Sequence, residues 1–214
     1  MKRPYRLGLR EATVQAHRVR ILDATRKVFS IAGYHGAALE EVALRAGVSR
    51  KTIYIQFGSK LGLLDALLSD LESTAELPDR VQVIMQKPAR QALAEYFAEV
   101  CRFWNRNEAV MRAIIGLAAT DADAGKVVDM HDGARRRRLT SFIKLLSARG
   151  ELARGYPQSA AVDLMWLLSS FAAYDHLVHR SQLSVERAAA LLSDAASVLI
   201  AAPHGASSKL KLNS

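Results

Sequence analysis

Several features are scarce in this 214-residue sequence, and each scarcity argues against a class of protein. Cysteine occurs once, at Cys101, which excludes an internal disulfide and any metal site built from several cysteines. Because structural disulfides mark oxidising compartments, we expect a cytoplasmic protein. No uninterrupted apolar run approaches the roughly 20 residues of a membrane helix. The basic N-terminal stretch MKRPYRLGLR leads into no apolar segment, so we expect no secretory signal and no membrane partner.

The short motifs of common enzyme classes are also missing. The sequence contains no glycine-rich phosphate loop, no GxSxG elbow, no HExxH motif and no cysteine cluster. His176 and His179 are three residues apart but have no clear third ligand, so we interpret them as surface or interface histidines. We therefore expect no enzyme activity, no metal and no cofactor.

Acidic residues are scarce in one region, the first 60 residues. Twelve Lys or Arg face only four Asp or Glu there, whereas the remaining 154 residues carry 18 basic and 17 acidic side chains. A basic N-terminal third on a nearly neutral body indicates a polyanion-binding module attached to something else. Charge alone fits a solvated basic surface equally well, so the distinction depends on the motifs.

Helical periodicity dominates, and we predict an all-α protein. Short helices are predicted over 11–32, 39–46 and 49–57, with a connector helix over 60–75. The first would carry an apolar stripe that includes Val14 and Val19 and would stop at Gly33. Five longer helices are predicted to form the body, over 88–106, 108–120, 124–149, 157–180 and 184–201. The polar stretch 203–214 is expected to be disordered, and residues 11–58 and 59–202 are predicted to be two domains.

Residues 39–57 satisfy the requirements of a helix-turn-helix. Ala43 is small enough for a close helix crossing, and Gly47 can adopt the positive φ that the turn needs. We expect four apolar side chains to point inward and set the angle between the helices: Val42, Ala46, Val48 and Ile53.

The outer face of the third helix is then predicted to contact DNA. Arg50 and Lys51 can reach phosphates or guanine edges, and Gln56 can read adenine or bridge through water. A backbone amide at the start of the next helix and the charge of Lys60 can together hold a phosphate. The candidate DNA-binding residues are Ser49, Arg50, Lys51, Thr52, Tyr54, Gln56 and Lys60.

Residues 17–68 resemble the N-terminal domain of TetR/AcrR-type bacterial transcriptional regulators. The resemblance lies in Phe29 with Gly33-Tyr34, the turn around Gly47-Val48-Ser49, Thr52-Ile53-Tyr54 with Phe57, and Ser59-Lys60. It implies that Thr52, Tyr54 and Lys60 contact phosphates, and that Arg50, Lys51 and Gln56 face bases or backbone. Ala37 and Ala38 depart from the family, which usually has a capping Thr or Ser there, and Ile55 stands where a polar or aromatic residue is common.

The resemblance also implies a helical body that dimerises and holds a small-molecule effector. Helices 157–180 and 184–201 mix small and large apolar residues, which suits a four-helix interface of a homodimer, with the interior core of a monomer as the alternative. Aromatic and Met side chains suit a ligand pocket, although they are more often plain core. The candidate ligand-binding residues are Phe97, Cys101, Trp104, Met111, Ile115, Met165, Trp166 and Tyr174.

Two basic segments lie outside the helix-turn-helix. Arg135–Arg138 point all round a helix and cannot form one face, so we interpret them as a solvated turn pairing with Asp129 and Asp132. The arm Lys2–Arg10 is a better candidate for an additional DNA contact.

Three hypotheses follow from the sequence. The leading one is a repressor that binds a palindromic operator as a dimer and is released by an effector. The second is a helical enzyme or small-molecule-binding protein whose basic N-terminus is incidental, and the third is an architectural DNA binder without an effector.

Overall fold

The computed structural model describes residues 4–36 and 39–200, with side chains for 12–31 and 39–200. Ten α-helices make up nearly all of the described chain, and its only β-structure is an isolated bridge between Leu152 and Ile200. The prediction of an all-α protein is confirmed. The helices are α1 (Pro4–Gly36), α2 (Leu39–Ala46), α3 (Arg50–Phe57), α4 (Lys60–Thr74), α5 (Leu77–Ile84), α6 (Ala89–Ala118), α7 (Ala122–Ala148), α8 (Gln158–Leu168), α9 (Phe171–Asp175) and α10 (Val185–Ala196).

The predicted boundaries of the first helix are wrong at both ends. α1 begins at Pro4, not Glu11, and continues through Gly33 to Gly36. Proline is well suited to the first helical position because it lacks an N–H that would have no partner there, and an internal glycine costs only about 1 kcal/mol. Val14 and Val19 are 52% and 65% exposed, so the buried stripe of α1 begins at Ile21 and not at Val14.

The body helices also differ from the prediction. The segments 88–106 and 108–120 form one helix, α6, since Asn107 donates its amide to the Phe103 carbonyl (2.9 Å) and leaves the helical backbone uninterrupted. The predicted helix 157–180 is instead divided after Leu168. Ser170 is extended and its hydroxyl accepts from Ala173 N, which starts α9 anew, and a π-helical turn His176–Arg180 follows. The short helix α5 was not predicted.

Two compact units make up the described chain. The first comprises the described residues up to Asp79 together with Phe103–Ala134. In it α1 packs against α2 and α4, and α3 packs against α2 and α4. The buried apolar side chains of its first three helices include Ile21, Leu22, Val28, Phe29, Leu39, Val42, Ala43, Ala46, Ile53 and Phe57.

The second unit comprises Arg80–Arg102 together with the described residues from Arg135 onward. In it α8 packs against α9 and α10. Large apolar side chains fill its core, among them Phe97, Phe142, Met165 and Tyr174, each at most 1% exposed. The predicted domain boundary at residue 58 stays a prediction, and the stretch 203–214 lies outside the described residues.

The two isoleucines of α3 offer a matched test of this packing. Ile53 is 1% exposed and Ile55 is 72% exposed. We expect Ile53→Ala to lower the free energy of unfolding by about 2–5 kcal/mol, because it removes buried methyl groups and leaves a cavity. Ile55→Ala is expected to change it by less than about 0.5 kcal/mol. Urea unfolding of both variants measures the difference, and equal losses would contradict the assigned register of α3.

Candidate nucleic-acid interface

A three-residue turn joins α2 to α3. Gly47 has a φ of 62°, a left-handed conformation that glycine adopts without steric cost. Val48 N donates to the Ala43 carbonyl (3.0 Å), which returns the chain across the end of α2. Ser49 is extended and its hydroxyl accepts from Thr52 N (3.1 Å), so it caps α3 as predicted from its position.

Buried side chains on α2 and α3 hold the two helices at a defined angle to each other. Val42, Ala46 and Ile53 are at most 3% exposed, and Ala43, the small residue predicted at the crossing, is 6% exposed. Val48 is half-buried. Phe57 closes the inner face of α3, and the Arg18 guanidinium carbon lies 4.8 Å from the centroid of its ring.

The outer face of α3 carries most of the candidate DNA-binding side chains. Ser49, Arg50, Lys51 and Tyr54 are exposed, and Thr52 is half-buried. The Ser49 and Thr52 hydroxyls lie 2.9 Å apart. This surface therefore presents two cations and three hydroxyl groups within two turns of helix, the donors that phosphate oxygens accept from.

Arg50 is already engaged in the unbound protein. Its guanidinium forms an ion pair with Glu40 at the start of α2. A hydrogen bond with Tyr54 is the main cause that raises the pKa of Arg50, with the Glu40 charge second. The predicted DNA contact of Arg50 would require it to give up these protein partners.

Gln56 lies closer to α1 than the sequence suggested. It is half-buried, and its amide nitrogen donates to the Val14 carbonyl (3.3 Å). Reading of adenine by Gln56 stays a prediction that requires this contact to open.

The start of α4 sits tightly against the end of α3. Ser59 caps α4 by accepting from Gly62 N (2.9 Å). A Cβ at position 62 would lie 2.0 Å from the Phe57 carbonyl oxygen, so only glycine allows this approach. Half-buried Lys60 is thereby held beside α3. Sequence reasoning missed Gly62, for which the only signal was a glycine in the first turn of a helix.

Two side-chain contacts tie α4 to other helices of the first unit. Asp70 accepts from Arg26 of α1 (2.8 Å), and Asp65 lies 2.8 Å from His131 of α7. The partners are 44 and 66 residues apart in sequence, which is why no sequence pattern revealed them. A displacement of α7 around His131 would therefore act directly on α4.

The candidate ligand-binding residues are distributed over both units. Trp104, Met111 and Ile115 belong to the first unit and the other five to the second. Phe97, Cys101, Met111, Met165 and Tyr174 are buried, Trp104 and Trp166 are half-buried, and Ile115 is 39% exposed. A groove of about 350 Å³ within the second unit is lined by other residues, from α6 and α10. The ligand-binding role of the eight residues stays a prediction.

Two of the four arginines at 135–138, Arg135 and Arg136, contact α8 and the residue that follows it. Arg135 donates to the Trp166 carbonyl (3.0 Å) and the Ser169 hydroxyl (2.6 Å). Arg136 pairs with Asp163 of α8, whereas the predicted pairing of the arginine segment with Asp129 and Asp132 stays a prediction. The spacing of residues along α7 could not reveal this partner, because Asp163 lies on a different helix.

The other features noted in the sequence lie outside α3. His176 and His179 are exposed, and the described residues contain no group of three ligating side chains that could hold a metal. Among the described helices none is long and apolar enough to cross a membrane. The side chains of Lys2–Arg10, and Ala37 and Ala38, lie outside the described residues.

A capped, exposed basic helix locked on a three-helix scaffold defines a helix-turn-helix DNA-binding protein. A sequence model of the bacterial regulatory proteins of the tetR family matches residues 21–67. The HTH-type transcriptional regulator BetI of Escherichia coli K12 is 29% identical over 160 residues, which cover 70% of this chain and 80% of BetI. Residues 21–67 therefore match the DNA-binding domain of the tetR family, and the chain is a DNA-binding transcriptional regulator similar to BetI.

Solved structures share the fold. A protein assigned to the TetR-family transcriptional regulators from Rhodococcus sp. superimposes with a TM-score of 0.74 at 21% identity, covering 87% of this chain and all of that chain. The Bacillus subtilis transcriptional regulator FadR, solved in complex with stearoyl-CoA, has a TM-score of 0.71 at 17% identity. That match covers 83% of this chain and 96% of the FadR chain.

Cys101 provides a test of burial in the second unit. Burial raises the pKa of its thiol to about 12, so the neutral thiol predominates at pH 8. We expect the folded protein to react with an aromatic disulfide reagent at least 100-fold more slowly than the protein in 6 M guanidinium.

The pKa of Cys101 is higher in the folded than in the unfolded chain. The free energy of unfolding should therefore fall as pH rises from about 9 towards 12. Cys101→Ser, which has no thiol, is the blank, and rapid labelling of the folded chain would contradict this burial.

Proposed function

We propose that the protein is a repressor that binds a palindromic operator as a homodimer and is released by a small-molecule effector. The exposed face of α3, with its two cations and three hydroxyls on a helix fixed by buried side chains, is the observation that carries the proposal. A single helix-turn-helix reads one half-site, so a two-fold symmetric dimer matches a palindrome.

In the proposed complex α3 lies in the major groove. Thr52, Tyr54 and Lys60 contact phosphates on its flanks, while Arg50, Lys51 and Gln56 face bases or backbone. Lys60 combines its charge with the N-terminus of α4, where the helix dipole favours an anion.

Exposed apolar side chains of the second unit support the homodimer. Leu167 on α8 is 63% exposed, Leu191 on α10 is 48% exposed, and Val198 just beyond α10 is 58% exposed. Large exposed apolar side chains on packed helices are favourable to bury against a second copy. The proposed interface therefore uses α8 and α10, within the helices predicted from the sequence.

Release by an effector is proposed to act through α4. Effector contacts are proposed for the candidate residues of the second unit, and the neighbour FadR was solved in complex with stearoyl-CoA. A shift of α7 or α1 would reach α4 through Asp65–His131 and Asp70–Arg26. Because half-sites fit only one spacing of the recognition helices, a small movement of α4 would remove much of the affinity.

The other hypotheses are less well supported. We propose a cytoplasmic regulator that is not an enzyme and has no cofactor, because the family and its relatives are transcriptional regulators. An architectural DNA binder without an effector would use the same α3 surface. A melting temperature that no ligand shifts would favour that reading.

The phosphate contacts are testable with full-length protein and the DNA upstream of its gene. We expect Tyr54→Phe to weaken binding by about 1 kcal/mol per half-site, since it removes one hydroxyl hydrogen bond. Lys60→Ala should reduce the slope of log affinity against log salt by about 1 per half-site. Fluorescence anisotropy across a salt series measures both effects.

Lys144→Ala is the matched control for the Lys60 variant, because it removes an exposed lysine from α7 in the second unit. It is expected to keep the affinity and the salt slope of the unmodified protein. Unchanged binding by both Tyr54→Phe and Lys60→Ala would show that the assigned docking is wrong.

The dimer interface is tested by charge insertion. We expect Leu167→Asp, alone or with Leu191→Asp, to convert the dimer to monomer, because an unpaired carboxylate would be buried in the interface. Sedimentation velocity measures the change. Val83→Asp alters a side chain that is 64% exposed on α5 and should leave the dimer intact. A chain that is monomeric before any substitution would overturn the proposed assembly.

A further inference from the structure

One apolar side chain of α3 has no structural role within the described chain. Ile55 is 72% exposed, whereas the other aliphatic or Phe side chains of α3, Ile53 and Phe57, are 1% and 9% exposed. Substituting a polar residue for Ile55 would cost the fold little, because its side chain is not buried. Its hydrocarbon surface is therefore available to a partner.

The position of Ile55 on the helix is central. At about 100° per residue, the inward direction of α3 lies midway between Ile53 and Phe57. Ile55 then points about 180° away from that direction, with Lys51 one turn earlier and about 40° to its side. The side chain at the middle of the outer face points directly away from the scaffold, towards any surface that lies against α3.

Two polar side chains of α3 are engaged with other helices in the unbound protein, and Ile55 occupies the centre of the outer face. Arg50 is held by Glu40, and the amide of Gln56 is turned towards the Val14 carbonyl. Lys51 and Tyr54 are exposed on the same outer face and supply polar groups to it. Isoleucine donates and accepts no hydrogen bond, so it cannot read a base edge through polar contacts.

The major groove offers an isoleucine one apolar feature. Thymine is the only DNA base that places a methyl group there, at C5, and apolar side chains discriminate it by direct contact. A polar base edge facing Ile55 would instead lose its water without gaining a hydrogen bond.

We propose that Ile55 recognises the C5-methyl group of a thymine in each half-site and so determines the base at that position. The inference rests on the proposed function, because it requires α3 to lie in the major groove of an operator. It adds an apolar reader at the centre of the face, flanked by the polar contacts of Lys51 and Tyr54.

The test removes only the methyl group. An operator is first selected from random-sequence DNA with the full-length protein, and each thymine is then replaced singly by deoxyuridine. We expect one position per half-site at which the replacement weakens binding about fourfold, and about fifteenfold when both half-sites are replaced, from the loss of one buried methyl each. For Ile55→Ala the same replacements should leave the affinity unchanged.

Ile31→Ala is the matched control, since it makes the same truncation at a side chain that is 74% exposed on α1. It should respond to deoxyuridine as the unmodified protein does. If an operator is selected but Ile55→Ala shows the same deoxyuridine profile as the unmodified chain, the inference is overturned and the proposed function stands. A protein that selects no sequence overturns both.

Discussion

The burial of two side chains on an eight-residue helix is the constraint on which the rest of this site depends. α3 is too short to be stable alone, because isolated helices of this length do not recover the cost of nucleation. Ile53 and Phe57 bind it to the scaffold of α1, α2 and α4, and Ser49 with Gly47 determine where it starts. Every polar group on its outer face takes its direction from these apolar contacts.

In the unbound protein, the outer face of α3 carries charged side chains that are partly paired with other protein groups. Arg50 is held by Glu40 and Tyr54, so its side chain is ordered before DNA arrives. If Arg50 contacts a phosphate in the proposed complex, one ion pair replaces another, which costs less than ordering an unpaired arginine. The region of the chain up to residue 60 remains strongly basic, which favours rapid association with a polyanion.

Local patterns could be predicted well, and long-range contacts could not. The positions of α2 and α3, the Ser49 cap and the inward-facing Val42, Ala46 and Ile53 all follow from spacing within 20 residues. The continuous α6 and the break at Ser169–Ser170 were missed, because Asn and Ser can either stay within a helix or cap a new one. Arg136 pairs with Asp163 on another helix, and the spacing of residues along one helix cannot predict such a pair.

The sequence by itself determined the all-α class, the resemblance to the tetR family and the positions of α2 and α3, because helical periodicity, caps and turn glycines act over a few residues. Only the tertiary structure decided that Gln56 turns towards α1, that Gly62 brings α4 against α3, and that α4 is joined to α1 and α7 by side-chain contacts. It also placed Ile55 at the centre of the exposed face. Exposure and side-chain partners depend on which surfaces the other helices cover, and that is a property of the packed chain.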